Sequence, residues 1–168
     1  MTDADRILQP RTLTADAFAP FGDVLEVSGD FRLINEGLCR RYHDRARVDI
    51  DGAAPGISVF TSEPRALPYR FDLVERHPLG SQAFVPMTAH PFLVIVAPDE
   101  GGRPGYPLAF LTDGAQGINL HRGTWHGVLT PLAAPGLFAV VDRCVAGPNL
   151  EQYRYPVPFV VEGGRSPR

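Results

Sequence analysis

Two stretches of the sequence place histidines, a carboxylate and an amide between apolar, strand-forming residues. They read ERHPLGSQAFVPM at 75–87 and GINLHRGTWHGVL at 117–129. Strand-forming segments of this kind usually bury apolar side chains, so polar groups that interrupt them are candidates for chemistry.

The first stretch predicts two strands that direct polar groups toward one interior. Glu75 and His77 are two residues apart and therefore share one face of a strand. Gln82 enters the next strand after the turn HPLGS, and His126 follows a second turn at Gly123. If these strands line one barrel mouth, four side chains converge on a mixed nitrogen and oxygen site. Such a site suits a divalent transition metal with open positions for substrate, and its candidate ligands are Glu75, His77, Gln82 and His126.

The spacing leaves a structural alternative open for each of these residues. A histidine in a β-protein is often hydrogen-bonded scaffolding, and this applies to His77, His121 and His126 alike. Arg76 and Arg122 are either solvated, outward-facing residues or forked cations that bind a small carboxylate.

A third polar patch, INEGLCRRYHDRA at 34–46, includes Asn35, Tyr42 and His43. It is either a solvated loop, a binding edge that closes over a pocket, or a dimer contact.

The segments that position these residues read as short strands. Proline and glycine, 17 of each, punctuate the chain, and β-branched and aromatic runs lie between them. This pattern predicts an all-β sandwich or barrel. The predicted strands are 22–27, 48–50, 57–61, 69–76, 82–87, 92–97, 108–112, 117–120, 127–129, 137–143 and 159–161. One or two short helical segments are predicted, one from the N-cap Thr14 to Phe18 and one turn over 149–153. We expect a single domain over residues 1–168, with about 1–6 and 163–168 flexible.

Composition excludes several classes of function. The chain has 16 basic residues, all arginine, which rules out a Schiff-base lysine and a Walker-type phosphate lysine. A net charge of −3 gives no electrostatic footprint for nucleic acid or anionic lipid. The longest apolar run, 92–97, is too short to span a bilayer, and no signal peptide is apparent. Two cysteines make no disulfide framework and favour a reducing cytoplasm.

Four stretches together resemble the ureidoglycolate lyase family of allantoin (purine) catabolism. They are AFAPFGDVLE, INEGLCRRYHD, ERHPLGSQAFVPM and QGINLHRGTWH, in the family's order and over most of the chain. The resemblance implies a cupin-like β-barrel or double sheet, a homodimer and a divalent metal, with nickel suggested. It implies an enzyme that releases urea from ureidoglycolate and leaves glyoxylate.

The resemblance has departures that bear on function. Relative to the general cupin pattern, Glu75 and Gln82 replace a usual histidine and a usual glutamate, and His121 replaces a proline. The family often continues Trp-His-His-Pro where this chain has Trp125, His126, Gly127 and Val128. Two alternatives therefore stay open: a cupin-like enzyme for another small hydroxy or keto acid, and a non-catalytic module that binds a small acid.

The implied elimination needs a base at the substrate hydroxyl, a proton donor at the departing nitrogen and a cation for the carboxylate. Either His77 or His126 suits the acid-base roles because an unperturbed imidazole has a pKa near ~6.5. Arg76 or Arg122 is the candidate carboxylate clamp. The remaining candidates for substrate contact, chiefly at the ureido end, are His121, Tyr42, His43 and Asn35.

Overall fold

The computed structural model describes residues 6–163, whose regular secondary structure is almost entirely β-strand. In chain order the elements are β1 Arg6–Leu8, β2 Arg11–Thr12, α1 Ala15–Phe18, β3 Gly22–Leu25, β4 Arg32–Ile34, β5 Cys39–Arg41, β6 Pro55–Ser62, β7 Tyr69–Arg76, β8 Gln82–Pro86, β9 Phe92–Ala97, β10 Leu108–Leu111, β11 Gly117–Leu120, β12 Trp125–His126, β13 Thr130–Pro131, β14 Gly136–Arg143 and β15 Glu151–Val161. The prediction of an all-β, cupin-like fold is confirmed.

Two curled sheets form a half-barrel, and a small hairpin lies beside them. The larger sheet has the order β1-β15-β7-β12-β9-β10-β2, with β13 also paired to β9. The smaller sheet has the order β3-β11-β8-β14-β6, and β4 pairs with β5 alone. Most pairs are antiparallel, but β1 runs parallel to β15 and β2 parallel to β10.

Strand β9 separates two apolar cores because its alternate side chains point to opposite faces. Phe92, Val94 and Val96 belong to a cluster with residues of the smaller sheet, such as Phe84. We call this cluster the inter-sheet core. Leu93, Ile95 and Ala97 belong to a second cluster, the outer core, which also contains Trp125, Val74 and Phe159. Burial on both faces explains why β9 is continuously apolar.

The predicted first helical segment is confirmed, and the second is wrong. Thr14 caps α1 by accepting a hydrogen bond on Oγ1 from the Ala17 amide, and Phe18 is fully buried. Residues 151–153, in contrast, already belong to β15, where Tyr153 pairs with Val74 of β7. The Tyr153 ring packs against Trp125 in the outer core, so tertiary contacts override the local helical signal.

Most predicted strands are present, and two are wrong. The bounds of β7, β9 and β11 match the prediction, while 48–50 forms only one isolated bridge, between Ile50 and Gly80. Residues 127–129 lie between β12 and β13 because Gly127 bends in against Ile95, to whose carbonyl its amide donates at 2.9 Å. The prediction missed β1, β2, β4, β5, β12, β13 and the part of β15 before residue 159.

The predicted flexible ends fall largely outside the described residues. Of the residues in about 1–6 and 163–168, only Arg6, which begins β1, and Gly163 are described. No helix within residues 6–163 is long and apolar enough to cross a membrane. The single-domain assignment stays a prediction.

Candidate metal and active site

The strand register turns Glu75 and His126 toward the space between the sheets. His126 of β12 lies opposite Glu75 of β7 on one side and opposite Val96 of β9 on the other. Residues directly opposite each other in a sheet point to the same face. Since Val96 belongs to the inter-sheet core, Glu75 and His126 face the interior.

His77 completes a compact triad at the end of β7. It lies two residues beyond Glu75, and its ring centroid is 5.4 Å from that of His126. One ligand atom each from Glu75, His77 and His126 lie within 4.8 Å of one another. The structure thus brings together three of the four candidate ligands.

Backbone carbonyls fix the tautomers of both histidines. Nδ1 of His77 is 2.7 Å from the Asn149 carbonyl, and Nδ1 of His126 is 2.9 Å from the Gly127 carbonyl. A carbonyl only accepts, so we assign the proton of each neutral ring to Nδ1, which leaves a lone pair on Nε2. Both Nε2 atoms are buried without a hydrogen-bond partner. A histidine oriented in this way by its second nitrogen is typical of metal sites.

Gln82 approaches the interior from the smaller sheet. It pairs with Leu120 across β8 and β11 and precedes Phe84 by two, and both of those residues belong to the inter-sheet core. Its Nε2 donates to Oδ2 of Asp142 at 3.0 Å, while its Oε1 is buried without a partner. Two imidazole nitrogens, a carboxylate and an amide oxygen therefore face the space between the sheets. The two unpartnered imidazole nitrogens beside Glu75 fit a bound divalent cation, and the unpartnered Gln82 oxygen is a further candidate ligand.

Burial lowers the pKa of His126 to about 4. Desolvation of the charged form is the main cause; the hydrogen bond to the Gly127 carbonyl raises the pKa, and the neighbouring His77 lowers it. His126 is therefore neutral at pH 7, which is the protonation state that a metal ligand or proton acceptor needs.

The metal-free protein is expected to lose stability as the pH falls from about 6.5 toward about 4. The unfolded chain protonates His126 near its ordinary pKa of 6.5, whereas the folded chain resists protonation down to about 4. The unfolded state thus binds more protons, and this residue costs about 1.4 kcal/mol of unfolding free energy for each pH unit of that window.

Urea unfolding in the presence of chelator, between about pH 7 and about pH 4.5, measures this loss. His126→Asn keeps a donor for the Gly127 carbonyl and removes the titrating nitrogen, so its pH slope should be shallower. Equal slopes for the two proteins would contradict the assignment.

The structure places Arg76 on the face of β7 opposite Glu75. Its guanidinium donates to Asp99 at 2.9 Å and to Glu151 at 2.6 Å, and it lies 4.5 Å above the Trp125 ring. The Trp125 indole also donates to Asp99. This cluster joins β7 to β12 from the outer side, directly behind Glu75 and His126, so Arg76 supports the site without reaching into it.

Arg122 and His121 lie beside the site, in contacts of their own. Arg122 donates to the carbonyl of Pro78, the residue after His77, and ion-pairs with Asp51 at 3.1 Å. Nε2 of His121 is 3.1 Å from Asp23. Both line a surface cleft with Trp125 and Thr124, so neither is brought to the histidine pair.

The third polar patch forms the β4–β5 hairpin and the segment after it. Asn35 has a φ of 52° in the exposed turn, Tyr42 packs on Phe31, and His43 is exposed. Within residues 6–163, none of these three hydrogen-bonds or stacks with His77 or His126.

Sequence reasoning did not find Asn149 or Asp142. Asn149 holds the His77 ring through its backbone carbonyl, and its Oδ1 accepts from the Leu79 amide at 2.7 Å. A backbone contact has no sequence signal. Asp142 did have a sequence signal: it lies two residues after Val140 on β14 and therefore shares the inward face of that residue.

Comparisons with known proteins agree on one family. The family model described as Ureidoglycolate lyase matches residues 5–162. A ureidoglycolate lyase of Rhodobacter capsulatus is 58% identical over 153 residues, covering 90% of this chain and 95% of the relative. Ureidoglycolate lyase 2 of Rhizobium meliloti is 50% identical over 90% of this chain and 95% of its own length. A ureidoglycolate lyase of Agrobacterium fabrum is 45% identical over 96% of this chain and 97% of its own length.

Proposed function

The chain belongs to the ureidoglycolate lyase family, and from this premise we propose that it cleaves ureidoglycolate to glyoxylate and urea in allantoin catabolism. The observation that carries the proposal is the pair of histidines whose buried Nε2 atoms are unpartnered and share one interior with Glu75. Two oriented lone pairs beside a carboxylate suit proton transfer on a small polar substrate.

The reaction joins a proton transfer to the cleavage of one carbon–nitrogen bond. The substrate hydroxyl and ureido nitrogen are attached to the same carbon. The hydroxyl loses its proton as the C=O bond forms, the electron pair of the C–N bond leaves with the ureido nitrogen, and that nitrogen gains a proton to become urea. Because both atoms are attached to one carbon, a single imidazole can take the proton from oxygen and deliver it to nitrogen.

We assign this shuttle to His77. It is half-buried at the end of β7, whereas His126 is 4% exposed. Of the two rings, that of His77 is therefore the more open to a substrate, and its Nε2 gives the proton that it accepts from oxygen back to nitrogen within one turnover. The Asn149 carbonyl keeps its Nδ1 proton in place and its Nε2 free to accept.

Of the four candidate ligands, Glu75, His77 and His126 form the compact triad; because we assign His77 to proton transfer, Glu75, His126 and Gln82 are the residues that would hold a divalent metal, for which the family resemblance suggests nickel. When bound, such an ion supplies Lewis acidity toward the substrate's oxygen atoms. The candidate clamp for the substrate carboxylate is Arg122, which is anchored one residue from His77 by the bond of its Nε to the Pro78 carbonyl and would turn from the surface cleft toward the histidine pair to bind substrate. Single alanine variants test the further candidate substrate contacts, and a raised KM is the expected result for each. These candidates are Tyr42, His43, Asn35 and His121.

Urea and glyoxylate release from racemic ureidoglycolate by the purified protein tests the function. The assay is run on the protein as purified, after chelation and after addition of nickel, with uncatalysed breakdown subtracted. Release that chelation abolishes and nickel restores supports the lyase with its metal. Release that is insensitive to chelator keeps the lyase and removes the metal, and no release in any condition contradicts the proposal.

A homodimer is the assembly that we propose, formed through the outer face of the smaller sheet. Ile57 and Val59 of β6 are 79% and 63% exposed, and Val85 and Met87 of the nearby β8 segment are exposed as well. Ala139 pairs with both Val59 and Val85, so these apolar side chains are neighbours on one surface. A contiguous apolar surface of this kind is typical of a protein interface.

Val59→Asp is expected to convert the dimer to a monomer, because a dimer would bury the new charge without a partner. Sedimentation or light scattering measures the mass. Ile7→Asp is the matched control, since Ile7 is also exposed but lies on β1 of the larger sheet. A dimer that persists in Val59→Asp would exclude this surface.

We also propose a cytoplasmic location. The two cysteines, Cys39 and Cys144, are both free, which supports a reducing compartment.

A further inference from the structure

We propose that Asp142 is a positioning residue that fixes the orientation of the Gln82 amide. The inference rests on the proposed metal site, since it concerns which atom of Gln82 is left unpartnered in the interior that it shares with Glu75, His77 and His126. None of the functional assignments above gives Asp142 a part in the reaction.

An amide can present either of two opposite faces to a site. Its Oε1 accepts hydrogen bonds and can bind a cation. Its Nε2 carries two protons and repels a cation. Exchange of the two atoms by a half-turn leaves the shape almost unchanged. The packing of Gln82 therefore does not by itself decide which atom faces the interior.

Asp142 fixes the orientation of the Gln82 amide through a charge-assisted hydrogen bond. Its Oδ2 accepts from Gln82 Nε2 at 3.0 Å, and a carboxylate has no proton to offer Oε1 in the flipped amide. The flipped orientation would place two oxygens against each other. The favoured orientation leaves Oε1 buried and unpartnered, as the structure shows.

The sheet brings the two residues together on the inward face. The last pair of the β14–β8 ladder is Val141 with Ala83, and the same antiparallel register continued by one residue places Asp142 directly opposite Gln82. Asp142 shares its face with Val140 and Phe138, and Gln82 shares its face with Phe84, all of the inter-sheet core. The contact is therefore set by the strand register.

The pairing also explains why an amide suits position 82. A glutamate there would place a second carboxylate about 3 Å from Asp142, and two such groups strongly resist joint ionisation. Gln82 with Asp142 keeps an unpartnered oxygen in the interior and places the negative charge on the neighbouring strand. We therefore expect Gln82 and Asp142 to act as a unit.

Nickel titration by calorimetry on the purified protein tests the proposal apart from catalysis. Asp142→Ala frees the amide to flip and is expected to weaken nickel binding by about 10- to 100-fold, the usual effect of removing a group that orients a ligand. Asp142→Asn keeps an oxygen that accepts from Gln82, but its NH₂ can also donate to Oε1 of the flipped amide, so it should recover only part of the affinity. Asp72→Ala removes an equal charge from the exposed ion pair with Arg154 and should leave the affinity unchanged.

A double-mutant cycle separates action through Gln82 from action by charge alone. In a Gln82→Leu background, Asp142→Ala should cause almost no further loss of nickel affinity, because the group that it orients is gone. The same fold-loss in both backgrounds would overturn the proposal. So would a wild-type protein that binds no nickel, whereas nickel binding without urea release would contradict only the proposed function.

A readout on the metal-free protein checks the hydrogen bond itself. In nuclear magnetic resonance spectra, the side-chain NH₂ protons of Gln82 should show slow exchange with solvent in the wild type and intermediate exchange in Asp142→Asn, in which either orientation of the amide finds a partner. Asp142→Ala should lose this protection. Unchanged NH₂ signals in Asp142→Ala would overturn the proposal even if nickel affinity fell.

Discussion

His77→Asn is expected to lower kcat for urea release by about 10²- to 10⁴-fold while the protein still binds nickel. Asparagine can place its side-chain NH₂ where Nδ1 of His77 donates to the Asn149 carbonyl. It has no atom in the place of Nε2, so the proton acceptor is lost and the local hydrogen bond is kept. Steady-state kinetics and a nickel titration on one preparation make the two measurements.

His126→Asn is the matched comparison, because it likewise preserves the contact with the Gly127 carbonyl. Since we assign His126 to the metal, this variant should lose nickel affinity as well as activity. If His77→Asn loses nickel to the same extent, His77 is a ligand and the proton shuttle is another group. If His77→Asn keeps full activity, the proposed mechanism is wrong.

Gly127→His is expected to destabilise the fold by about 1–3 kcal/mol, the usual cost of overpacking, with little change in the kcat/KM of the folded protein. A Cβ at position 127 would lie 3.0 Å from Cβ of Ile95 and 3.5 Å from its Cδ1 and Cγ2. Ile95 belongs to the outer core, so a side chain at 127 points away from the His77–His126 pair. The family's second histidine, introduced here, would crowd the outer core instead of joining the site.

Denaturant unfolding of Gly127→His, alone and combined with Ile95→Ala, tests this geometry. Ile95→Ala alone costs about 2–5 kcal/mol through the cavity it leaves. In the double variant the histidine can occupy part of that cavity. The double variant should therefore lose less unfolding free energy than the sum of the losses in the two single variants. A changed preference among small hydroxy acids without loss of stability would instead restore the alternative substrate that Gly127 first suggested.

The fold could be predicted wherever one strand carries its own pattern. Alternation and β-branched runs located β7, β9 and β11 to the residue. The strands β1, β2, β4 and β5 are two or three residues long and rich in exposed arginine, so only their partners define them. Residues 127–129 carry two apolar residues after a glycine, yet the close approach of Gly127 to Ile95 keeps them out of the sheet.

The candidate site shows the same division between local and long-range information. Glu75 and His77 are two residues apart and could therefore be placed on one face of the strand. The same alternation assigns Arg76, which lies between them, to the other face. The structure agrees, since Arg76 contacts Asp99 and Trp125 there. The contact of His77 with the Asn149 carbonyl depends on how β15 meets β7, and no local pattern reports that.

The parallel pairing of β1 with β15 gives the molecule an order of assembly during its synthesis. The ribosome releases β1 early, yet Leu8 pairs with Val161 and is buried with Phe159 only once β15 has emerged. Such long-range closure is slow compared with hairpin formation. Asn149, which holds His77, stands two residues before β15. The nascent chain can therefore assemble its inter-sheet core first, and the His77 imidazole is aligned only when β15 docks.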